Sequence, residues 1–261
     1  MKVAVVTIAY SCSLSVSSLL QTASSSGHSI ECHVFLHSRY PNVAAACSRM
    51  AQTSAVIYHP IGSNRGVSNS WNEGMLAAYA RHADVVIIAN DDITFAPGDV
   101  DIIAEKAALC RDRYIVSCAG YHVGQRRRIP SVGYACFAIN PIAVERLGCF
   151  DENFFPAYCE DQDFARRAAL AGLEEENCPN TMLSHLGSNC ILSDPALRRQ
   201  NAMTHGRNLA YYRQKWGGDG GQEIFTHPFD NPVLGYHIPA HCRHRPYGRA
   251  YDRQDDGIVR I

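Results

Sequence analysis

Features that would place a protein in a membrane or a secretory pathway are missing from this 261-residue sequence. No apolar run approaches the roughly 20 residues that a membrane-spanning helix needs. The opening residues, MKVAVVTIAYSCSLS, read as a strand and not as the apolar region and cleavage site of a signal peptide. The sequence therefore predicts a soluble, cytoplasmic protein.

The 11 cysteines lack the spacing of a disulfide framework. Their number is odd, and no Cys-x-x-Cys pair occurs between Cys12 and Cys242. Most of them, such as Cys118, Cys136 and Cys149, lie in apolar surroundings, where cysteine packs as a small hydrophobic residue. We expect reduced thiols.

A strong net charge is absent as well, since 24 Lys and Arg balance 25 Asp and Glu. The chain as a whole therefore carries no electrostatic signature of a nucleic-acid or anionic-membrane binder. One basic run, Arg126-Arg127-Arg128, remains. It is interpreted either as a solvated loop or as a contact to the phosphates of a polyanionic acceptor such as modified DNA.

Apolar runs of strand length alternate with helical patterns, which favours an α/β fold with a mostly parallel sheet flanked by helices. Together with the length, the pattern predicts one domain over residues 1–218 and an extension over residues 219–261. Strands are predicted at residues 3–9, 32–36, 55–58, 85–89, 114–119 and 133–139. Helices are predicted at residues 13–25, 43–52, 67–81, 99–109, 141–147, 161–172 and 194–216.

Two acidic clusters stand where such a fold would expose them. Asn90-Asp91-Asp92 follows a predicted buried strand, at the carboxyl edge of the sheet, where ligands bind in open α/β folds. Glu160-Asp161 opens an Ala-rich helix, whose amino end is expected to keep a carboxylate ionised. One cluster could hold a cation and the other could deprotonate a hydroxyl, which suits transfer of an activated group from a phosphate leaving group.

The order of several motifs resembles family 2 glycosyltransferases, rhamnosyltransferase-like members included, which have the nucleotide-diphospho-sugar transferase (GT-A) fold. VAVVTIAY resembles their first nucleotide-binding strand, and NRGVSNSWNEGMLAA resembles their paired Asn-x-Gly segment. ANDDI stands in the place of Asp-x-Asp, and GCFDENFFPAYCEDQDFARRAALAG resembles the segment with the Glu-Asp base motif. SHLGS and NLAYYRQKWGG resemble later family motifs, so the resemblance covers residues 1–218.

The resemblance implies an inverting glycosyltransferase that moves a sugar from a nucleotide-diphosphate donor to a saccharide or glycoconjugate hydroxyl. Asp161 would be the general base, with Glu160 the weaker candidate. Asp92 would bind Mn²⁺ or Mg²⁺, with His185 as a second ligand, since hard cations prefer oxygen and accept imidazole. The donor-binding residues implied are Thr7, Ala9, His37, Asn64, Arg65, Gly66, Asn72, Asn90 and Asp91.

Departures from the family pattern leave the donor base open. His37 and Ser38 stand after the second strand, where many relatives carry an acidic residue, so thymidine and guanosine diphosphates compete with uridine. Asn90 replaces the first aspartate of Asp-x-Asp, although its amide oxygen can still contact ribose or a cation.

Two other classes of protein compete with this interpretation. A non-catalytic carbohydrate-binding relative would not need both acidic clusters. A nucleotidyltransferase would need a glycine-rich, basic loop after the first strand, and SCSLSVSS contains neither Gly nor Lys. In the Gly-, His- and Arg-rich extension we expect a lid over the donor, with Arg243, Arg245 or Arg249 near the diphosphate.

Overall fold

The computed structural model describes residues 1–10, 13–23, 25–38, 40–187 and 195–239. Its centre is a nine-stranded sheet of order β3-β2-β1-β4-β8-β6-β9-β5, with β7 paired to β6. The first four strands are parallel, β8 runs antiparallel to β4 and β6, and β9 is parallel to β6. The strands are β1 Lys2–Ala9, β2 Ser29–Leu36, β3 Val56–His59, β4 Val85–Asn90, β5 Ile93–Thr94, β6 Ile115–His122, β7 Arg127–Ile129, β8 Cys136–Ile139 and β9 Glu176–His185.

Helices cover both faces of the sheet. They are α1 Leu14–Ala23, α2 Pro41–Met50, α3 Val67–Ala80, α4 Asp99–Leu109, α5 Pro141–Leu147, α6 Glu160–Leu170 and α7 Pro195–Trp216. Short 3₁₀ turns lie at Gly133–Ala135 and Pro228–Asp230. The expected mixed α/β architecture is confirmed. Among the described residues, no helix is both long enough and apolar enough to cross a membrane.

Successive side chains of β1 point to opposite faces of the sheet, and both faces are buried, so its sequence is a continuous apolar run. Val3 and Val5 belong to the core cluster beneath α1, α2 and α4, whereas Ala4 and Val6 belong to the cluster beneath α3, α5 and α6. A strand buried on both faces has no polar side, as in parallel α/β sheets generally. Eight cysteines are described, all as free thiols, and seven of them are buried.

Glycines set the fit of α3 against this sheet. Gly66 precedes α3 with φ 84°, a left-handed conformation that favours glycine, and Asn64 Oδ1 accepts its N–H at 2.9 Å. A Cβ at Gly74 would overlap the side chain of Val6, so α3 can lie close to β1 only with glycine there. The paired Asn-x-Gly segment therefore has a structural role at both of its glycines.

Strands β5, β7, β8 and β9 differ from the sequence prediction, and β5 was not predicted because it has only two residues. β9 was not predicted, because ENCPNTMLSH is polar and contains a proline, and its pairing with β6 shifts register between Cys118 and Gly120. β7 places Arg127 and Arg128 in a strand and not in a loop. The strand predicted at residues 133–139 begins only at Cys136, since Gly133–Ala135 form a 3₁₀ turn.

The described part of the predicted extension packs against the domain. Ile238 is fully buried, its N–H donates to Leu147 O at 2.9 Å, and its carbonyl accepts from Cys149 N at 2.7 Å. Gly148 has φ 67° and faces the Ile238 backbone so closely that a Cβ could not fit. Arg243, Arg245 and Arg249, which the lid hypothesis needs, lie outside the described residues.

Candidate active site

A cavity of about 470 Å³ opens at the carboxyl edge of the parallel strands. Tyr10, His37 and Asn90, which follow or end β1, β2 and β4, reach its wall. The opposite wall comes from the turn at Gly133–Ala135, the loop before α6, and α7. Its acidic and histidine lining residues are His37, Asp91, Asp92, Glu160, Asp161 and His185, with no Lys or Arg among the described residues that line it.

The first acidic cluster forms the turn between β4 and β5. Asp92 is 3% exposed, and its Oδ1 has no hydrogen-bond partner among the described residues. Its Oδ2 lies 3.5 Å from His185 Nε2. The sheet produces this contact, because β5 pairs antiparallel to β9 with Ile93 opposite His185. Two side chains distant in sequence therefore meet at one edge.

Asp91 has a different environment from its neighbour. Its Oδ2 accepts the N–H of Tyr10 at 3.0 Å, and its carbonyl accepts the N–H of Ser15 at 3.3 Å. These bonds tie the β4–β5 turn to the segment that leaves β1 and to the start of α1. Asp91 thus lines the cavity while it also supports the loop beside it.

The donor set fits a divalent cation at Asp92 and His185. A buried carboxylate oxygen without a partner is costly unless a cation or a hydrogen-bond donor satisfies it. Carboxylate oxygen and imidazole nitrogen are both accepted by Mn²⁺. No group of three or more His, Cys, Asp or Glu side chains suited to a metal occurs in the described residues. A cation here would therefore need ligands from substrate or water.

The second acidic cluster begins α6 after an unusual stretch of backbone. Tyr158 and Cys159 have φ values of 76° and 72°, which non-glycine residues rarely adopt. Asn208 of α7 is fully buried and its Nδ2 donates to the carbonyls of Ala157 at 2.8 Å and Tyr158 at 3.0 Å. The helix α7 thereby holds the loop in the conformation that presents Glu160 and Asp161 to the cavity.

The two carboxyl groups have raised pKa values. Burial, followed by the neighbouring charge of Asp161, raises the pKa of Glu160 well above its ordinary value, and Glu160 Oε2 has no partner among the described residues. Burial also raises the pKa of Asp161, although its carboxylate accepts the N–H of Gln162 at 2.8 Å. The helix start predicts lowered pKa values, but both are raised, because the cost of desolvation exceeds the help from the helix terminus.

A buried ionic cluster anchors α6 from below. Asp163 lies in the first turn of α6, 2.6 Å from Lys215 Nζ and 2.9 Å from Arg167 Nε. Lys215 also reaches Asp151 at 2.7 Å. Burial alone would favour neutral Asp163, but Lys215 and Arg167 lower its pKa. The two positive and two negative side chains are fully buried and balance in charge.

The remaining residues implied for donor binding divide into two groups. His37 and Asn64 line the cavity, and His37 Nε2 is 2.8 Å from Ser70 Oγ. Asn72 is fully buried and bonds to the backbone of Phe150. Its Nδ2 donates to the carbonyl of Phe150 at 2.9 Å, and its Oδ1 accepts the N–H of Phe150 at 2.8 Å. Thr7, Ala9, Arg65, Gly66 and Asn72 are not among the lining residues.

Solved structures with a similar fold include three glycosyltransferases. The mannosyltransferase PcManGT from Pyrobaculum calidifontis, solved with GDP-Man and Mn²⁺, superposes with a TM-score of 0.53 at 18% identity over 78% of this chain and 62% of its own. GalNAc-T7, solved with UDP, GalNAc and Mn²⁺, has a TM-score of 0.56 at 11% identity, and the match covers 71% of this chain and 44% of that chain. Residues 1–349 of S. aureus TarS have a TM-score of 0.56 at 12% identity, and the match covers 78% of this chain and 65% of that chain.

This chain has the GT-A fold. It spans less than two thirds of each of those three solved chains. A galactofuranosyl glycosyltransferase from Leishmania donovani is 44% identical over 41 residues, which are 16% of this chain and 9% of that protein. No protein-family model matches the sequence.

Several wall residues of this GT-A cavity were not predicted as site residues. Tyr134, Tyr158, Gln200 and Asn201 line it. Tyr158 stands in the segment with the Glu-Asp motif, but no spacing in the sequence marks any of the four as a site residue. Trp71 is 2% exposed and makes edge contacts with Phe137 and Phe150, but it also contributes to the wall. Sequence periodicity locates a buried face and does not reveal an adjoining cavity.

Proposed function

We propose that this chain is a metal-dependent, inverting glycosyltransferase that moves a sugar from a nucleotide-diphosphate donor to an acceptor hydroxyl. One observation carries the proposal: in a GT-A fold, a buried carboxylate with one oxygen that has no partner among the described residues and a second carboxyl pair line the same cavity. The first, Asp92, suits a cation, and the second, Glu160-Asp161, suits proton transfer. PcManGT and GalNAc-T7 were solved with Mn²⁺ and with nucleotide or nucleotide sugar, which supports the same ligand classes here.

Electrostatics makes the cation necessary for donor binding in this proposal. Four carboxyl groups and no described Lys or Arg line the cavity, so a diphosphate would meet repulsion. A cation held by Asp92 and His185 would offset that repulsion and supply Lewis-acid stabilisation of the diphosphate leaving group. On the strand side, His37, Asn64, Asn90 and Asp91 would contact the nucleoside.

Asp161 is the general base in the proposed reaction. Its carboxylate takes the proton of the acceptor hydroxyl while the oxygen bonds to the anomeric carbon and the bond from that carbon to the diphosphate oxygen breaks. A single displacement inverts the anomeric configuration. Glu160 is the second candidate for this role, because burial and the neighbouring charge of Asp161 both raise its pKa and so oppose the ionised form that a base needs.

Donor binding and hydrolysis test the proposal without knowledge of the acceptor. Calorimetry should find that one of UDP, GDP, TDP or CDP binds wild type only with Mn²⁺ or Mg²⁺. Asp92→Ala should abolish that binding, while Asp112→Ala, which removes an exposed carboxylate, should not. Slow metal-dependent hydrolysis of the matching nucleotide sugar should accompany binding. Binding without turnover of any donor would instead indicate a non-catalytic relative.

A further inference from the structure

We propose that the α7 side of the cavity is an acceptor subsite for an uncharged sugar, whose hydroxyls bind the side-chain amides of Gln200 and Asn201. This inference rests on the proposed function and assigns the acceptor class. Gln200 and Asn201 both line the cavity, and Gln200 is 8% exposed.

The position of these residues along α7 relates them to the proposed base. Thr204 follows them and is buried, the ring of His205 lies 5.5 Å from that of Tyr158, and Asn208 holds the loop before Glu160. Gln200 and Asn208 are about two helical turns apart, or roughly 12 Å. The amides therefore lie on the same helix that fixes the Asp161 loop, at its amino-terminal part.

Free hydrogen-bonding capacity supports a ligand at this position. The backbone carbonyls of Gln200 and Asn201 accept from Thr204 Oγ1, but their side-chain amides make no hydrogen bond within the described residues. Each amide offers two donors and an acceptor oxygen, a set that suits sugar hydroxyls. Tyr134 and Tyr158 add aromatic surface to the wall, against which the apolar face of a sugar ring can pack.

Charge decides between a neutral sugar and a polyanion. The described lining residues include four carboxyl groups and no Lys or Arg, so a nucleic-acid acceptor would enter against repulsion. Within the basic run, Arg128 gives little compensation, because its Nη2 donates to the carbonyls of Pro179 at 2.7 Å and Thr181 at 2.8 Å, and none of the three arginines lines the cavity. Those bonds assign Arg128 to the support of β9.

An acceptor panel tests the class. Wild type, Mn²⁺ and the donor that it hydrolyses would be incubated with methyl glycosides of neutral hexoses and pentoses, with methyl glucuronide, and with an oligonucleotide containing 5-hydroxymethylcytosine. Mass spectrometry should detect a disaccharide from at least one neutral glycoside and no transfer to the oligonucleotide. Salt-sensitive transfer to the oligonucleotide with none to neutral glycosides would overturn the proposal. If wild type neither binds nucleotide nor hydrolyses any donor, the proposed function itself fails.

Substitutions then test the two amides with the neutral glycoside. Gln200→Ala and Asn201→Ala should each raise the acceptor KM by about three- to tenfold, the value of one hydrogen bond, with a smaller change in kcat. Gln200→Glu keeps the shape but adds a negative charge and should raise KM as well. Arg199→Ala on the exposed face of α7 is the matched control. Unchanged acceptor KM in all three amide variants, with melting temperatures like wild type, would overturn the assignment.

Discussion

The ammonium nitrogen of Lys215 lies 2.6 Å from Oδ1 of Asp163, and both side chains are fully buried. Asp163 is two residues after Asp161, so this ion pair fixes the first turn of the helix that carries the proposed base. Asp151 balances the pair from the other side, and its Oδ2 also accepts from Tyr211 OH at 3.0 Å. Protein stability and the geometry of the site therefore depend on the same interior charges.

Replacement of Lys215 by methionine should strongly destabilise the protein. The substitution leaves two buried carboxylates short of a cation, and breaking one side of a buried ion pair costs about 3–5 kcal/mol. Urea denaturation would measure the free energy of unfolding. Arg213→Met is the control on the same helix, because Arg213 pairs with Asp219 at 2.7 Å but in solvent, and its loss should have little effect. Equal losses of unfolding free energy in the two variants would show that the buried ion pair contributes no more to stability than the exposed one.

Asp161→Asn should remove transfer and preserve donor binding. Loss of a general base lowers the rate by roughly two to four orders of magnitude. Burial raises the pKa of Asp161, so the fall of kcat/KM at low pH should have its midpoint above the usual pKa range of an aspartate. The residual activity of the variant should not show this fall. Gln162→Ala, at the exposed neighbour, is the control. Near-normal transfer by Asp161→Asn would exclude it as the base.

Cation affinity should depend on Asp92 more than on His185. Asp92→Ala removes the one oxygen ligand that the protein is proposed to supply. Loss of a residue that only supports a ligand weakens metal binding by roughly ten- to hundredfold, and loss of Asp92 should weaken Mn²⁺ binding by more than that. His185→Ala should have a smaller effect. Electron paramagnetic resonance of free Mn²⁺ in the presence of the nucleotide measures both affinities without any turnover. Wild-type Mn²⁺ affinity in Asp92→Ala would place the cation elsewhere.

The sequence predicted most of the elements but not the order of the strands in the sheet. Runs such as residues 85–89 are apolar on both faces, so β1 to β4 and α1 to α3 follow from the hydrophobic pattern, whereas the two-residue strand β5 does not. The meeting of Asp92 with His185 depends on β9, whose polar residues gave no strand signal. Gln200, Asn201 and the Lys215 cluster were invisible for another reason. Their roles come from tertiary contacts of α7, and helical spacing does not encode those contacts.

Glu160→Gln should change how stability varies with pH. In the unfolded chain Glu160 ionises near its ordinary pKa of about 4.3, whereas in the folded protein its pKa is raised well above that value. The folded state therefore holds the proton more tightly, and this contribution, present at low pH, is lost as pH rises between the two pKa values. The variant cannot ionise, so its melting temperature should gain on wild type as pH rises from about 4 to 7. A difference in melting temperature between the two proteins that stays constant over that pH range would contradict the raised pKa.

Two glycines inside helices should respond in opposite ways to a methyl group. Gly74→Ala places a Cβ against the side chains of Val6 and Phe35, both fully buried, and overpacking of this kind costs about 1–3 kcal/mol. Gly206→Ala in α7 meets nothing within 4 Å, so the better helix propensity of alanine should stabilise the protein by about 0.5–1 kcal/mol. Urea denaturation of both variants measures the difference. Equal stabilisation in the two would mean that α3 can move away from β1, and that close contact at Gly74 does not set the distance between them.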